Sequence, residues 1–206
     1  MFLTFASIAG ASYLVGSFPT AYLLVKWKTQ QDVRKVGTGN VGALNSFEVT
    51  RSKVVGIGVL VVDLAKGAAA IMLCCSLFGN SLVFLGLSAA GVIIGHNYPI
   101  WLQFQGGRGL APAAGALLVI NWIFVVVWCA VWLITYGVAR NVHKGNIVAI
   151  VVTPIISALL AGSMVEWGVL QKDDSGLFIL LGFLLSTLLF LRHFKPLKEM
   201  LSKKAH

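Results

Sequence analysis

The sequence predicts an all-α integral membrane protein, a polytopic bundle of about seven transmembrane helices, one of them short or broken. Three observations predict this fold class. Hydrophobic residues make up 58% of the 206 positions and charged residues only 11%, against roughly 25% charged in soluble domains. The mean hydropathy of +0.88 excludes a disordered chain. Because each span takes about 20 residues, residues 1–206 are predicted to form a single membrane-embedded domain with short loops.

Six uninterrupted apolar runs mark the predicted spans. They cover residues 2–25, 54–78, 82–94, 110–139, 147–165 and 177–191. The first run is too long for a signal peptide and no basic residue precedes it, so we expect a retained span whose amino end is outside. The fourth run is too long for one perpendicular helix. We therefore expect a short helix over 110–120, a turn at Asn121 and a returning helix over 122–139.

The basic residues favour seven spans over six. Fourteen of the 16 Lys and Arg residues lie in segments 26–53, 95–111, 140–144 and 192–204. With seven spans these segments all face one side, and basic loops gather on the cytoplasmic side of membranes. With six spans the last two segments would face outward. We therefore predict that the amino terminus is outside and the carboxyl terminus cytoplasmic. Topology accounts for the net charge of +9, and nucleic acid is not expected as a partner.

A glycine-rich loop in the first basic segment is a candidate anion site. It follows Arg34 with three glycines and two asparagines, which are Gly37, Gly39, Asn40, Gly42 and Asn45. The glycine spacing is that of a dinucleotide-binding loop, but that loop requires a preceding strand, which a helical membrane protein does not supply. Glycines also let successive backbone N–H groups converge on an anion. The loop is therefore either a phosphate site or a plain glycine-rich turn.

A second loop has the same chemistry. Gly106, Gly107, Arg108 and Gly109 precede a predicted helix that begins at Leu110. Glycines and an arginine at the amino end of a helix form a typical anion site.

Three further polar residues are candidates with open alternatives. On sequence alone, His96 is a general base, a phosphate donor or a helix terminator. Asp63 and Lys66 lie three residues apart on one helix face. They form either a structural ion pair or part of the same polar site.

The ordered motifs resemble the bacterial acyl-phosphate:glycerol-3-phosphate acyltransferase (PlsY) family from end to end. The resembling segments are residues 16–19, 32–45, 63–67, 95–109 and 192–193. The resemblance implies a seven-helix core in the bacterial inner (cytoplasmic) membrane. It also implies transfer of a fatty acyl group from acyl phosphate to the first hydroxyl of glycerol 3-phosphate, giving lysophosphatidic acid and phosphate. The expected partners are these two substrates and membrane lipids, with no cofactor and no metal.

The resemblance also implies roles for individual residues. His96 and His193 become the catalytic candidates, as proton-transfer or orienting groups. The implied substrate-binding residues are Arg34, Gly37, Gly39, Asn40, Gly42, Asn45, Lys66, Gly106, Gly107, Arg108 and Gly109.

The chain departs from the family pattern at six positions. The family usually has threonine at Leu44 and Pro112, lysine at Arg108, serines at His143 and Asn146, and asparagine at Pro196. Several of these changes remove hydrogen-bond donors, which leaves an alternative interpretation. The chain would then be a noncatalytic descendant that acts as a structural or lipid-binding subunit of a larger membrane complex. Transport is disfavoured, because Asp63 and Lys66 are too little polar material for a water-lined path.

Overall fold

The computed structural model describes residues 1–167 and 175–202, and every regular element within these ranges is helical. The helices are α1 (Phe2–Ser17), α2 (Thr20–Thr29), α3 (Ala43–Thr50), α4 (Lys53–Phe78), α5 (Leu82–Asn97), α6 (Leu110–Ala139), α7 (Val142–Leu159), α8 (Ala161–Trp167) and α9 (Ser175–Ser202). Within the described ranges, six segments are long and apolar enough to cross a membrane. The predicted all-α membrane bundle is confirmed.

The first span is interrupted, which the prediction of one run over 2–25 did not include. Helices α1 and α2 form one membrane-crossing segment, Phe2–Thr29, broken between Ser17 and Thr20. Pro19 causes the break, because it has no N–H to donate and holds the residue before it in an extended conformation. The Phe18 carbonyl at this break accepts a hydrogen bond of 2.6 Å from Lys66 Nζ of α4.

Glycines allow the central helices to pack closely. A methyl group on Gly16 of α1 would overlap the Val92 carbonyl of α5, and one on Gly95 of α5 would overlap the Tyr13 carbonyl. Helices α4 and α6 meet in the same way, because a methyl on Gly67 would overlap the Pro112 carbonyl. Small residues at helix contacts are typical of membrane bundles. These contacts fix the helices that carry Lys66, His96 and the second glycine-rich loop.

Helix α6 is two antiparallel arms joined at Asn121. The backbone of Asn121 is extended, with φ −161° and ψ 101°. A straight helix of this length would measure about 45 Å and would separate Arg108 from His143. Instead, Arg108 Nη1 lies 3.2 Å from His143 Nδ1, so the second arm returns to the end where the first began. The predicted turn at Asn121 and short helix are confirmed. With α6 counted as two arms, the six apolar segments of the described ranges make seven.

The turn brings the four basic segments to one end of the bundle. The first two segments meet where Arg34 Nη1 donates to the Leu102 carbonyl at 3.1 Å. The last segment meets the second where Arg192 Nε donates to the Gly107 carbonyl at 3.0 Å. Residues 203–204 of the last segment lie outside the described residues. The shared end supports the seven-span topology and holds all the predicted binding loops.

Candidate active site

The first glycine-rich loop is folded around the side chain of Asn45. Gly37 and Gly39 have φ of +60° and +70°, a left-handed conformation that glycine adopts without strain. The Asn45 amide nitrogen donates to the carbonyls of Val33, Val36 and Asn40 at 3.0–3.3 Å.

The Asn45 amide oxygen also serves the loop, because it accepts from the Thr38 N–H at 2.8 Å. Asn45 is buried, so its side chain determines the shape of the loop. Asn40 and Gly42 lie at the far end of the loop, where Gly42 precedes the first residue of α3.

Arg34 joins the first loop to the second. Its Nη2 lies 2.7 Å from Asp32 Oδ2, and its Nη1 donates to the Leu102 carbonyl at 3.1 Å. The hydrogen bond to Arg34 lowers the pKa of the Asp32 carboxyl, and the same bond raises the pKa of Arg34. The guanidinium also lies 5.6 Å from the centre of the Tyr22 ring. Arg34 therefore connects the first loop to the segment that precedes the second loop.

The second loop is held from the other side by Arg192. Its Nε and Nη2 donate to the carbonyls of Gly107 and Gly106, each at 3.0 Å, and its guanidinium lies 4.8 Å from the centre of the Tyr98 ring. The Gly107 N–H in turn donates to the His96 carbonyl at 3.1 Å. The loop backbone is thus fixed to α5 and α9 at the amino end of α6.

Lys66 and His96 belong to a small polar cluster beside this loop. Lys66 Nζ lies 2.7 Å from Asp63 Oδ1, and His96 Nδ1 lies 3.8 Å from the same oxygen. All three side chains are buried and line a small cavity of about 10 Å³ that Thr20 also borders. The structural ion pair that was one alternative for Asp63 and Lys66 is present, and it borders the polar site.

Arg108 lies between the second loop and α7. Its contact with His143 Nδ1 at 3.2 Å requires that nitrogen to be the acceptor, because arginine only donates. The proton of a neutral His143 is then on Nε2. Burial lowers the pKa of Arg108, the carboxylate of Glu199 opposes this change, and the nearby charge of Arg192 adds to it. The family serine position is therefore occupied here by a ring that supports the arginine.

His193 offers a buried acceptor near Arg108. Its Nδ1 lies 2.8 Å from the Leu189 carbonyl, an acceptor, so Nδ1 carries the proton. The side chain is fully buried, and Nε2 has no hydrogen-bond partner in the described parts of the chain. Asn97 Oδ1 is likewise buried without a partner there. A methyl on Gly109 would lie 2.8 Å from this oxygen, so Asn97 also borders the second loop.

An apolar cavity begins next to the second loop. It has a volume of about 200 Å³ and lies between α4, α6, α7 and α9. Leu110 and Leu189 line its near end, and a methyl on Gly109 would lie 3.1 Å from Leu189 Cδ2. A charged group at Arg108 and a hydrocarbon chain in the cavity could therefore belong to one ligand. Among the described residues no three His, Cys, Asp or Glu side chains are grouped as metal ligands.

Comparison with known proteins identifies the family. The family model described as glycerol-3-phosphate acyltransferase matches residues 6–203. The glycerol-3-phosphate acyltransferase 2 of Thermotoga maritima is 33% identical over 190 residues, which are 92% of this chain and 89% of that protein. The chain belongs to the glycerol-3-phosphate acyltransferase family. The resemblance drawn from the motifs is confirmed.

Other members of the glycerol-3-phosphate acyltransferase family agree. The enzyme of Desulforamulus reducens is 39% identical over 158 residues, 77% of this chain and 78% of that protein. The crystal structure of PlsY, described as an integral membrane glycerol 3-phosphate acyltransferase in its glycerol 3-phosphate form, has a TM-score of 0.80 and 26% identity. The match covers 98% of this chain and 94% of the PlsY chain. The lysophosphatidic acid form has a TM-score of 0.78 at 24% identity and supports the same fold.

The departures from the family pattern lie in different surroundings. Asn146 is buried, and its Oδ1 accepts from Trp132 Nε1 at 2.7 Å. Leu44 is 46% exposed on α3. Pro112 lies in the first turn of α6, where no N–H is needed for the helical ladder, and Pro196 lies inside α9.

The sequence did not lead us to assign a role to two residues of the site, Arg192 and Asn97. Arg192 holds the Gly106 and Gly107 carbonyls of the second loop. Beside it, Asn97 presents an oxygen that has no partner in the described parts of the chain. Each is adjacent in sequence to a predicted histidine, Arg192 to His193 and Asn97 to His96. That adjacency was the available signal.

Proposed function

We propose that this protein is a membrane acyltransferase of phospholipid synthesis. It transfers a fatty acyl group from acyl phosphate to glycerol 3-phosphate and releases lysophosphatidic acid and inorganic phosphate. One observation carries the proposal, which is that the second glycine-rich loop, with Arg108, directly adjoins an apolar cavity. Such an arrangement suits an acyl phosphate, with the phosphate at Arg108 and the chain in the cavity. Membership of the family supports glycerol 3-phosphate as the acceptor.

The reaction needs positioning and charge stabilisation more than a strong nucleophile. The first hydroxyl of glycerol 3-phosphate attacks the acyl carbonyl carbon, a new C–O ester bond forms, and the C–O bond to phosphate breaks. The leaving phosphate takes the bonding electron pair, so nearby positive charge stabilises it. In our proposal Arg108 supplies that charge, and the backbone N–H groups of Gly106 and Gly109 supply hydrogen-bond donors beside it.

His193 is the better placed of the two catalytic candidates. Because its Nδ1 donates to the Leu189 carbonyl, its Nε2 presents a lone pair that can accept the hydroxyl proton of glycerol 3-phosphate. The Nε2 atom has no other partner among the described residues. We assign His96 an orienting role, because it is packed against the second loop beside Asp63.

The remaining predicted residues act in the proposal by shaping the two loops. Arg34 donates hydrogen bonds to Asp32 and to the Leu102 carbonyl, and Asn45 donates to carbonyls of its own loop. The backbone conformation of the first loop is determined by Gly37, Gly39, Asn40 and Gly42. This conformation places the Val41 carbonyl close to Gly107. Lys66 secures the broken first span through the Phe18 carbonyl. They hold the phosphates indirectly, through the position of the backbone N–H groups.

We also propose that this end of the bundle faces the cytoplasm of a bacterium. The basic segments gather at it, as is usual on the cytoplasmic side. The amino terminus is then outside and the carboxyl terminus inside. Water-soluble glycerol 3-phosphate would reach the polar cluster from that side, and the acyl chain would enter from the lipid.

The proposed function is tested with purified protein in lipid, supplied with acyl phosphate and labelled glycerol 3-phosphate. We expect labelled lysophosphatidate. We further expect Arg108→Ala to lower kcat/KM by about tenfold to a hundredfold, because a hydrogen bond to a charged group contributes roughly 1.5–3 kcal/mol.

Arg140→Ala is the matched control, since Arg140 is basic, exposed and near the same end. It should leave kcat/KM unchanged. Absence of product from folded protein would contradict the proposal. Co-purification in a fixed ratio with a larger membrane assembly would then favour the noncatalytic alternative.

A further inference from the structure

The apolar cavity has a defined length along the bundle. On the first arm of α6 its lining residues run from Leu110 to Leu117, and on α9 they run from Leu189 to Gly182. Leu110 directly follows the second glycine-rich loop, and a methyl on Gly109 would lie 3.1 Å from Leu189 Cδ2, so both stretches begin at that loop. Each stretch rises by about 10 Å, at about 1.5 Å per residue. The two helices therefore give the same length.

Phe124 closes the inner end of this cavity. It belongs to the second arm of α6, just after the turn at Asn121, and it lines the cavity together with Gly182. A methyl group on Gly182 would lie 3.1 Å from Phe124 Cζ and 4.0 Å from Pro154 Cβ. The edge of the Phe124 ring therefore packs against the backbone of α9 at Gly182, close to α7.

The core behind the ring holds Phe124 in this position. Phe178 lies one turn beyond Gly182 on α9, and its ring centre is 4.9 Å from that of Phe124. Both phenylalanine side chains are buried, and they belong to the same core cluster as Ile120 and Leu181. Protein interiors are close-packed and resist the insertion of additional groups. The cavity therefore ends at Phe124 and does not continue along the bundle.

The length of the cavity corresponds to a limited number of carbons. With C–C bonds of about 1.5 Å, an extended hydrocarbon chain advances by roughly 1.3 Å per carbon. A length of about 10 Å then holds roughly eight carbons, counted from the level of the second loop. An extended chain of about 16 carbons measures about 20 Å. Its outer half would meet the Phe124 ring.

We propose that Phe124 sets the acyl-chain length that the cavity accepts, with an optimum of roughly eight to ten carbons. This inference rests on the proposed function, because it specifies the acyl donor for the same site. A chain of that length fills the space between the second loop and the ring. A longer chain has to fold back or leave the cavity, and its end then loses close contact with Phe124 and Gly182.

The experiment measures equilibrium binding of unreactive phosphonate analogues of acyl phosphate, with chains of roughly 6, 9, 12 and 16 carbons. The protein is held in lipid nanodiscs, and no turnover is needed. Each affinity is referred to the concentration of the phosphonate in the membrane, which removes the effect of its partition between water and lipid. We expect the chain of roughly 9 carbons to bind about tenfold more tightly than that of roughly 16, a difference of about 1.4 kcal/mol.

Two substitutions should move the optimum in opposite directions. Phe124→Ala removes the ring at the inner end and opens space for roughly four more carbons, so the optimum should move to the chain of roughly 12 carbons. Gly182→Ala adds a methyl group at the same end, 3.1 Å from the ring. The optimum should then move to the chain of roughly 6 carbons.

Phe84→Ala is the matched control. Phe84 is a half-buried phenylalanine whose ring centre is 5.9 Å from that of Phe5, and it does not line the cavity. Its truncation should leave the optimum unchanged. Phe124→Leu is a milder variant that leaves less empty space in the core, and it should move the optimum in the same direction as Phe124→Ala. Binding of the shortest phosphonate reports that each variant has folded.

The outcomes separate this inference from the proposed function. Equal binding of all four phosphonates by the unmodified protein, or tightest binding of the longest, overturns the inference even if acyl transfer is observed. An optimum that stays in place in the folded Phe124 variants also overturns it, because the ring then does not limit the chain. An optimum that moves with the ring, without any acyl transfer, supports the inference about the cavity and contradicts the proposed reaction.

Discussion

Gly107 lies where the first loop, α5 and the second loop meet. A methyl group at this position would overlap His96 Nε2 and would lie 2.7 Å from the Val41 carbonyl. The Gly107 carbonyl is also an acceptor for Arg192. The residue is therefore a point of close approach between backbone and side chain that only glycine permits.

We expect Gly107→Ala to reduce kcat/KM at least about a hundredfold, because displacement of the loop moves backbone donors out of position and a shift of about 1 Å has that effect. The measurement is the steady-state acyl transfer assay. Gly137→Ala is the control, since a methyl there has nothing within 4 Å, and it should retain full activity. Full activity of Gly107→Ala would contradict the loop arrangement proposed for the phosphates.

At the residue scale, the sequence predicted which residues lie at the site better than it predicted what each one does. Arg34 and Asn45 lie in the expected loop, but their hydrogen bonds go to the loop itself. Such roles depend on tertiary contacts between distant segments. The contact between Arg192 and the Gly106 carbonyl spans 86 positions, and spacing within a motif carries no information about it.

At the scale of elements, Asn121 decides the course of the chain. Its Oδ1 accepts from the Ile123 N–H at 3.1 Å and so caps the second arm of α6. Its Nδ2 donates to the Met164 carbonyl at 2.7 Å. In a membrane, backbone that leaves the helix must be satisfied by the protein itself, and this one side chain satisfies two groups.

We expect Asn121→Ala to destabilise the fold by about 2–4 kcal/mol, because it leaves the Ile123 N–H and the Met164 carbonyl without these partners. Thermal unfolding in detergent measures the effect as a lower Tm. Asn141→Ala is a useful comparison, because Asn141 caps α7 at the basic end through the Lys144 N–H alone and should cost about 1 kcal/mol. An unchanged Tm for Asn121→Ala would show that the turn does not depend on this side chain.

The helix interruptions at Asn121 and Pro19 differ in how well the sequence predicts them. The break at Asn121 follows from the length of the run and from a polar residue in its middle, so it could be predicted. The break at Pro19 lies inside a run that is acceptable as one span, and proline is tolerated in membrane helices. Its consequence, the Phe18 carbonyl that accepts from Lys66, depends on where α4 packs. Packing of that kind cannot be inferred from one segment alone.

At the scale of the whole molecule, the seven-segment arrangement was predictable because charge and parity constrain each other. The count of basic residues in four segments required an odd number of crossings, and the contact between Arg108 and His143 agrees with that number. The apolar cavity was not predictable, because its walls come from four helices distant in sequence. Hydropathy identifies spans, whereas a cavity depends on which faces those spans turn toward one another.

The proposed orientation predicts which residues are reachable from each side of the membrane. Lys35→Cys and Lys144→Cys should react with a membrane-impermeant thiol reagent only after cells are permeabilised, because basic loops are retained on the cytoplasmic side. Asn80→Cys, between α4 and α5, should react in intact cells. The background is a variant with Cys74, Cys75 and Cys129 replaced by alanine, which must retain acyl transfer.

Labelling of Lys144→Cys in intact cells together with Asn80→Cys would contradict the seven-segment topology, since an odd number of crossings separates these positions. The reverse pattern for all three would keep the fold and invert the proposed orientation, which would place the polar cluster away from cytoplasmic glycerol 3-phosphate.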